Sequence, residues 1–382
     1  MSGAAPIDQE AQILYTVQSG IAFVTLNRPA SLNALSFEMV QELYERLRDF
    51  ARDGGVQAVL MRGSGGRAFC AGGDLRALYN SRKESGSLHE AFFVAEYRLD
   101  YLLHRYPKPV VALADGITMG GGMGLVQGSS LRIVSEGTRM AMPEVGIGLF
   151  PDVGGSYFLS RLPGALGPYL ALTGAQIRAA DALYARLADA YLTAAAIAGL
   201  EAAFADLAWS ADAAGTLADA IGTLAGADAP PSLQARTAAA PLAALRPAID
   251  LHFARKSVTG ILDSLRSETR AGYAEWAEQT LKSLQSRSPT MLSVSLRQLQ
   301  RGSALSLADC FRMELGMVRQ CFVQGDFMEG VRALIIDKDG APRWQPDRIE
   351  AVDPAEVEAF FQDHWAGVTH PLANLENLAK LE

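Results

Sequence analysis

The sequence predicts an α/β fold, a parallel sheet whose strands run into glycine-rich loops, followed by a helix-rich second half. Three observations carry that prediction. Short apolar and β-branched runs alternate with stretches of helical periodicity between residues 21 and 142. Small-residue loops stand directly after two of those runs, at 63–74 and 116–124. From about residue 165 to 245 the composition shifts to alanine inside helical patterns, as at Ala179-Ala180 and Ala194-Ala195-Ala196.

Taken in order, Ile21–Leu26 reads as a strand stopped by the turn Asn27-Arg28-Pro29. Ser36 stands where an N-cap belongs, and Phe37, Val40, Leu43, Leu47 and Phe50 recur at helical spacing until Gly54-Gly55. A second strand at 56–61 makes a β-α-β unit, which implies parallel pairing. Residues 88–105 form the next helix, with Phe92, Phe93, Tyr97, Tyr101 and Leu102 as its apolar stripe. By pattern alone Glu96, beside that stripe, is a partly covered surface acid pairing with Arg98 or Arg105. Residues 108–114, 131–135 and 139–142 are further strands. Asp228-Ala229-Pro230-Pro231 breaks the alanine-rich helices, 289–325 reads as two helices parted near Gly302-Ser303, and an acidic, aromatic helix follows near 354–365. No repeat of 20 to 50 residues is visible, which speaks against a solenoid. The expected division is a core at 10–240 that carries the chemistry and a helical C-terminal region at 241–382 that covers it.

Composition removes several function classes. A chain of 382 residues with 49% hydrophobic and 20% charged residues can bury a large core, so disorder is not expected. The net charge of −8 and the lack of a Lys/Arg run argue against nucleic acid as a partner. Cys70, Cys310 and Cys321 form no C-x-x-C pair, so no disulfide framework or zinc site is indicated. The first ten residues, Met1 to Glu10, lack the basic and apolar pattern of a signal peptide, and the uncharged window 116–131 is too short and too rich in glycine to span a membrane. The expected location is cytoplasmic.

The candidate chemistry rests on glycine and carboxylates. Gly116 to Gly124 lets bare backbone N–H groups approach a ligand, and Phe69-Cys70-Ala71-Gly72-Gly73-Asp74 is a second such loop. Glu144 and Asp152 flank further glycine. The alternatives at this level are a tight turn without a ligand for the glycines, a solvent-facing acid for Glu144 and a helix N-cap for Asp152. The P-loop G-K-[ST], G-x-G-x-x-G, the G-x-S-x-G elbow and H-E-x-x-H are all absent. Carboxylates remain as the candidate catalytic groups, and no cofactor or metal is expected.

Together these pieces resemble the crotonase (enoyl-CoA hydratase/isomerase) superfamily, most closely its branch that hydrolyses 3-hydroxyisobutyryl-CoA. The likeness spans roughly 15 to 350 and rests on Leu26-Asn27-Arg28-Pro29 with Asn33-Ala34-Leu35, on 68–74, on Gly116-Ile117-Thr118-Met119-Gly120-Gly121-Gly122, on Met142-Pro143-Glu144, on 148–155 and on 326–338. It implies a crotonase-like ββα spiral with a helical C-terminal region. It also implies an oxyanion hole from the N–H groups of Gly73 and Gly121, Glu144 as base or nucleophile, Asp152 positioning water or the substrate hydroxyl, and Glu96 lining the acyl pocket. Asn33, Ala34 and Leu35, with Arg28 or another basic side chain near the phosphates, are implied to hold the coenzyme A of an acyl-CoA substrate.

One departure discriminates within the superfamily. Hydratases carry a glutamate two residues after the third glycine, and here that residue is Gly124, which favours hydrolysis. The competing expectations are a hydratase or isomerase of the same superfamily and a non-catalytic protein that binds CoA or a partner. Such proteins often form trimers, so a homo-oligomer is possible.

Overall fold

The computed structural model describes residues 11–227 and 233–378. The reading of residues 1–10, including the proposed start of the core at residue 10, and the break at 228–231 lie outside the described residues. Nine strands form two sheets among the described residues. The larger has the order β1 (Ile13–Gln18), β2 (Ile21–Leu26), β3 (Ala58–Gly63), β5 (Val110–Ala114), β7 (Leu131–Val134), β9 (Ala190–Tyr191). The smaller consists of β4 (Ala68–Cys70), β6 (Ile117–Met119) and β8 (Arg139–Ala141). Of these strands β1 and β2 pair antiparallel, and the remaining ladders are parallel. Three successive units each give one strand to the larger sheet and the next to the smaller, β3 with β4, β5 with β6, and β7 with β8. This is the spiral the resemblance implied and the residue pattern did not reveal.

The inner strands β2, β3 and β5 of the larger sheet are covered on both faces, which is why they are apolar almost throughout rather than alternating. Ala22, Val24 and Leu26 of β2 enter the main core, and Ile21 and Phe23 enter a second one closed by Leu200, Phe204, Leu217 and Ile221. Helix α1 (Phe37–Arg52) starts as its sequence dictates: Ser36 Oγ accepts from Met39 N at 3.2 Å, and Met39, Val40, Leu43, Leu47 and Phe50 are buried. A cap of this kind stabilises a helix by about 1 kcal/mol.

Two further helices, α2 (Leu75–Lys83) and α3 (Leu88–His104), follow β4, and α4 (Gly121–Gly128) follows β6. The region parted near Gly302-Ser303 forms the helices Pro289–Gly302 and Leu307–Gln324, and the block after it forms Asp326–Val331 with a wider turn at Arg332–Ile336. The last acidic helix is shorter than expected, Pro354–Ala359. No described helix is long and apolar enough to cross a membrane.

Candidate active site

The two glycine loops meet because β4 and β6 are neighbours. Gly72 has φ +102° and Gly120 φ +50°, and a Cβ on Gly72 would lie 3.5 Å from Gly121 N. Leu35 pairs with Gly73 in a bridge, with Leu35 N donating to Gly72 O at 2.8 Å and Asp74 N to Leu35 O at 2.9 Å. Gly121 opens α4, so its N–H has no partner within the helix. Among the described residues, neither the Gly73 nor the Gly121 N–H donates to a protein acceptor. Two free backbone donors therefore stand side by side.

Three acids converge on these loops. Glu144 opens a short 3-10 turn, Glu144–Ile147, after β8 and is 4% exposed. Its Oε1 is 3.2 Å from where a Cβ on Gly120 would be, and its Oε2 is buried without a hydrogen-bond partner. Asp152 is equally buried and accepts from the Tyr97 hydroxyl at 2.8 Å. Glu96 approaches from α3 so closely that a Cβ on Gly121 would lie 2.2 Å from its Oε1.

The structure corrects several readings of the pattern. Glu96 is not a surface acid: it is 2% exposed and makes no ion pair with Arg98 or Arg105. Glu144 does not face solvent. Asp152 caps no helix with its side chain, since Gly154 occupies the N-cap position of Gly155–Phe158 without a side-chain cap. The Asn33 side chain is spent inside the protein, accepting from Arg28 N and donating to Ser64 O and Ala68 O, so it shapes the loop and is not free for coenzyme A. Ala34 and Leu35 lie beside Gly72 and Gly73 on that loop. Arg28 is engaged by Asp74 at 3.1 Å and by Ala34 O at 2.7 Å.

The site also holds residues that the sequence did not single out. Asp100, one helical turn beyond Glu96, is fully buried with neither oxygen hydrogen-bonded, and Gly124 makes room for it. Glu314, on the distant Leu307–Gln324 helix, accepts from Gly154 N and Ser156 N, both at 2.8 Å. Asp326 accepts from Ser288 Oγ at 2.5 Å and Gln345 N at 3.1 Å, and it begins the helix against which the Glu144 turn packs. Its only sequence signal was its place in the 326–338 block.

These acids share one electrostatic condition: they are out of water, and among the described residues none of them is paired with a cation. Burial, then Asp152 and Glu144, raises Glu96 well above the carboxylate range. Burial and Asp152 do the same to Glu144. Asp100 is raised by burial and by Glu96, Asp152 and Glu314. Burial lifts Asp152 to about 7 against the Tyr97 hydrogen bond, and Glu314 to about 8 against its own donors. Cys70, beneath the loops, is pushed up to about 12 by burial, which leaves a thiol rather than a thiolate. No cluster of His, Cys, Asp and Glu suited to a metal occurs among the described residues. Paired donors next to acids of raised proton affinity can polarise a carbonyl and move a proton beside it.

Comparison with known proteins agrees with this architecture. A family profile described as enoyl-CoA hydratase/isomerase matches residues 21–361. The chain is 37% identical over 358 residues to the mitochondrial 3-hydroxyisobutyryl-CoA hydrolase of Gallus gallus, covering 93% of this chain and 90% of that one. It is 38% identical over 354 residues to the mitochondrial 3-hydroxyisobutyryl-CoA hydrolase of Danio rerio, covering 92% and 89%. Among solved structures, a carnitinyl-CoA dehydratase from Mycobacterium thermoresistibile superimposes with TM-score 0.83 at 37% identity, over 94% of this chain and 99% of that one. The mitochondrial designation of these relatives overturns the expected cytoplasmic location, for which composition and the first residues are poor guides. A sheet that delivers two free N–H donors to buried acids, and a match along most of the chain, lead to one conclusion: the chain belongs to the enoyl-CoA hydratase/isomerase family.

Proposed function

We propose that this protein hydrolyses an acyl-CoA thioester, converting 3-hydroxyisobutyryl-CoA and water to 3-hydroxyisobutyrate and coenzyme A, a step of valine breakdown. The observation that carries this reading is the 37–38% identity to hydrolases named for that substrate, over more than nine-tenths of the chain. The geometry is consistent with it. The Gly73 and Gly121 N–H groups serve as the oxyanion hole for the thioester carbonyl, a kind of donor worth about 2.7–4 kcal/mol each in the transition state. Glu144 acts on the carbonyl carbon, either by taking a proton from water or by attacking directly. The C–S bond breaks, the sulfur leaves as the coenzyme A thiol, and water supplies the new carboxylate oxygen. Asp152 orients the water or the substrate hydroxyl, and Glu96 hydrogen-bonds the 3-hydroxyl. Ala34 and Leu35 border the coenzyme A arm.

The likeness to a carnitinyl-CoA dehydratase favours a second reading, hydration or dehydration of an enoyl-CoA. Position 124 weighs against it. A Cβ there would stand 2.8 Å from both Asp100 oxygens and from Val153 Cβ, so the glutamate of hydratases has no room. The deciding experiment is thiol release from 3-hydroxyisobutyryl-CoA by the wild type and Glu144→Gln, with hydration of methacrylyl-CoA in parallel. Thiol release that collapses in the variant supports the hydrolase. Hydration without thiol release transfers the assignment to the second reading.

A further inference from the structure

Asp152 sits at the start of an unusual turn. Val153, a β-branched residue, has φ +51°, and Gly154 follows at φ +87°. A β-branched side chain in the left-handed region is a costly conformation that persists only where its surroundings impose it. Three things impose it here. Gly124 gives up its side chain to admit Val153, as a Cβ there would lie 2.8 Å from that of Val153. Phe311 closes over Gly154, 3.2 Å from where a Cβ would point, and is itself packed on Tyr97 and Tyr101 of α3. Glu314, one turn beyond Phe311, takes the N–H groups of Gly154 and Ser156 on its two oxygens, each at 2.8 Å. Glu314 is completely buried, and among the described residues no cation accompanies it. Burying an acid without a counter-ion is expensive, and replacing it by an apolar side chain would cost less if packing were its only task.

We propose that Glu314 is a positioning residue for Asp152: it clamps the left-handed Val153-Gly154 turn so that the Asp152 carboxylate stays on the Tyr97 hydroxyl and faces Glu144 and Glu96. The reacting groups of the spiral thus depend on a side chain contributed by the C-terminal helices. This assignment rests on the hydrolase reading for its kinetic consequences and on geometry alone for its structural ones. The groups facing Glu314 and Asp152 are Tyr97, Glu96 and Asp100 from α3, Glu144 from its turn, Ser156, Cys310 and Cys321.

The test is a double-mutant cycle between Glu314→Gln and Asp152→Asn, read by thiol release from 3-hydroxyisobutyryl-CoA. The amide that Glu314→Gln introduces presents one acceptor oxygen where two N–H groups need two. Glu314→Gln is expected to lower kcat by roughly tenfold to a hundredfold, as misplaced reacting groups do, with KM changed by less than about threefold. In the Asp152→Asn background the same change is expected to have no further effect on kcat, because its route of action is gone. Equal losses in both backgrounds, or an unchanged kcat in Glu314→Gln, overturn the proposal. A second readout needs no turnover. Amide hydrogen exchange at Gly154 and Ser156 should quicken in Glu314→Gln while the Leu307–Gln324 helix stays protected. If the wild type releases no thiol, the hydrolase reading falls and this exchange decides the positioning role by itself: unchanged exchange at both amides refutes it.

Discussion

Glu144 and Asp152 are both buried acids, and their surroundings set them apart. Glu144 has an oxygen with no hydrogen-bond partner beside the glycine loops, whereas Asp152 is held by the Tyr97 hydroxyl. A group that reacts needs a free lone pair, so Glu144→Gln is expected to cost about 10²–10⁴ in kcat for thiol release, and Asp152→Asn less. In the proposed roles both acids act as carboxylates, so kcat is expected to rise with pH along a limb that lies above the ordinary carboxylate range. Tyr97→Phe removes a donor that favours the charged form of Asp152, whose value is already raised to about 7, and therefore moves the limb to higher pH. A limb that moves down, or stays in place, removes Asp152 from the rate-determining ionisation. The sequence made Glu144, Gly73 and Gly121 legible because short motifs surround them. Tyr97 looked like one more apolar-stripe residue. Glu314 gave no signal, since its partners lie 158 and 160 residues away and a lone Glu in a helix ordinarily faces water.

At the scale of elements, the Glu144 turn packs on the Asp326–Val331 helix through two glycines, Gly148 at the end of the turn and Gly330 on the helix. A Cβ on Gly148, which has φ +72°, would meet the Asp326 carbonyl at 2.2 Å, and one on Gly330 would meet Ile147 backbone at 2.4 Å. Backbone cannot swing aside as a flexible side chain can, so Gly330→Ala should destabilise the protein by about 1–3 kcal/mol. It should also lower kcat, because the turn that moves carries Glu144. The comparison is Gly222→Ala, in the helix Ala213–Ala227, where among the described residues the new Cβ meets nothing within 4 Å beyond its own helix backbone, and which is expected to stabilise by about 0.5–1 kcal/mol through helix propensity. Denaturant midpoints of the two variants check the pair, and a destabilised Gly222→Ala or a neutral Gly330→Ala would contradict the contacts described. The longer elements were legible because each buries a continuous stripe or run. The three-residue strands β4 and β6 were not, because three residues inside small-residue loops show no periodicity, whereas β8 lies within the strand read at 139–142. The spiral was hidden as well: β3, β5 and β7 start at 58, 110 and 131, intervals of 52 (110 − 58) and 21 (131 − 110) residues, with α2 and α3 filling the longer one.

For the molecule as a whole, helices already prevail from Leu166 onward, well before the expected split at 240/241, and one hydrophobic cluster runs from Ile13 to Leu375 across that split. We propose that the two regions unfold as a unit, and that pH governs how firmly. Glu96, Asp100, Glu144, Asp152 and Glu314 are all raised by burial, to about 7 for Asp152 and about 8 for Glu314, from values near 4 in an unfolded chain. Between those limits the folded state holds protons that the unfolded state has lost, so unfolding releases protons and higher pH favours it. The stability these groups contribute is complete below about pH 4 and disappears as pH rises through their folded values. Surface acids work in the opposite sense. Asp309, held low by hydrogen bonds from Ser306 and then Arg312, and Glu329, held low by Arg332, lose their contribution only in acid. The thermal midpoint of the ligand-free protein should therefore peak on the mildly acidic side and fall from about pH 6 to 9. Asp100→Asn keeps the shape and removes one titrating acid, so its midpoint should fall less steeply over that range. An unaltered slope in Asp100→Asn would mean that Asp100 is not held neutral by the fold. A wild-type midpoint flat over the same interval would mean that solvent reaches the whole cluster and that the acids are ionised before the protein unfolds.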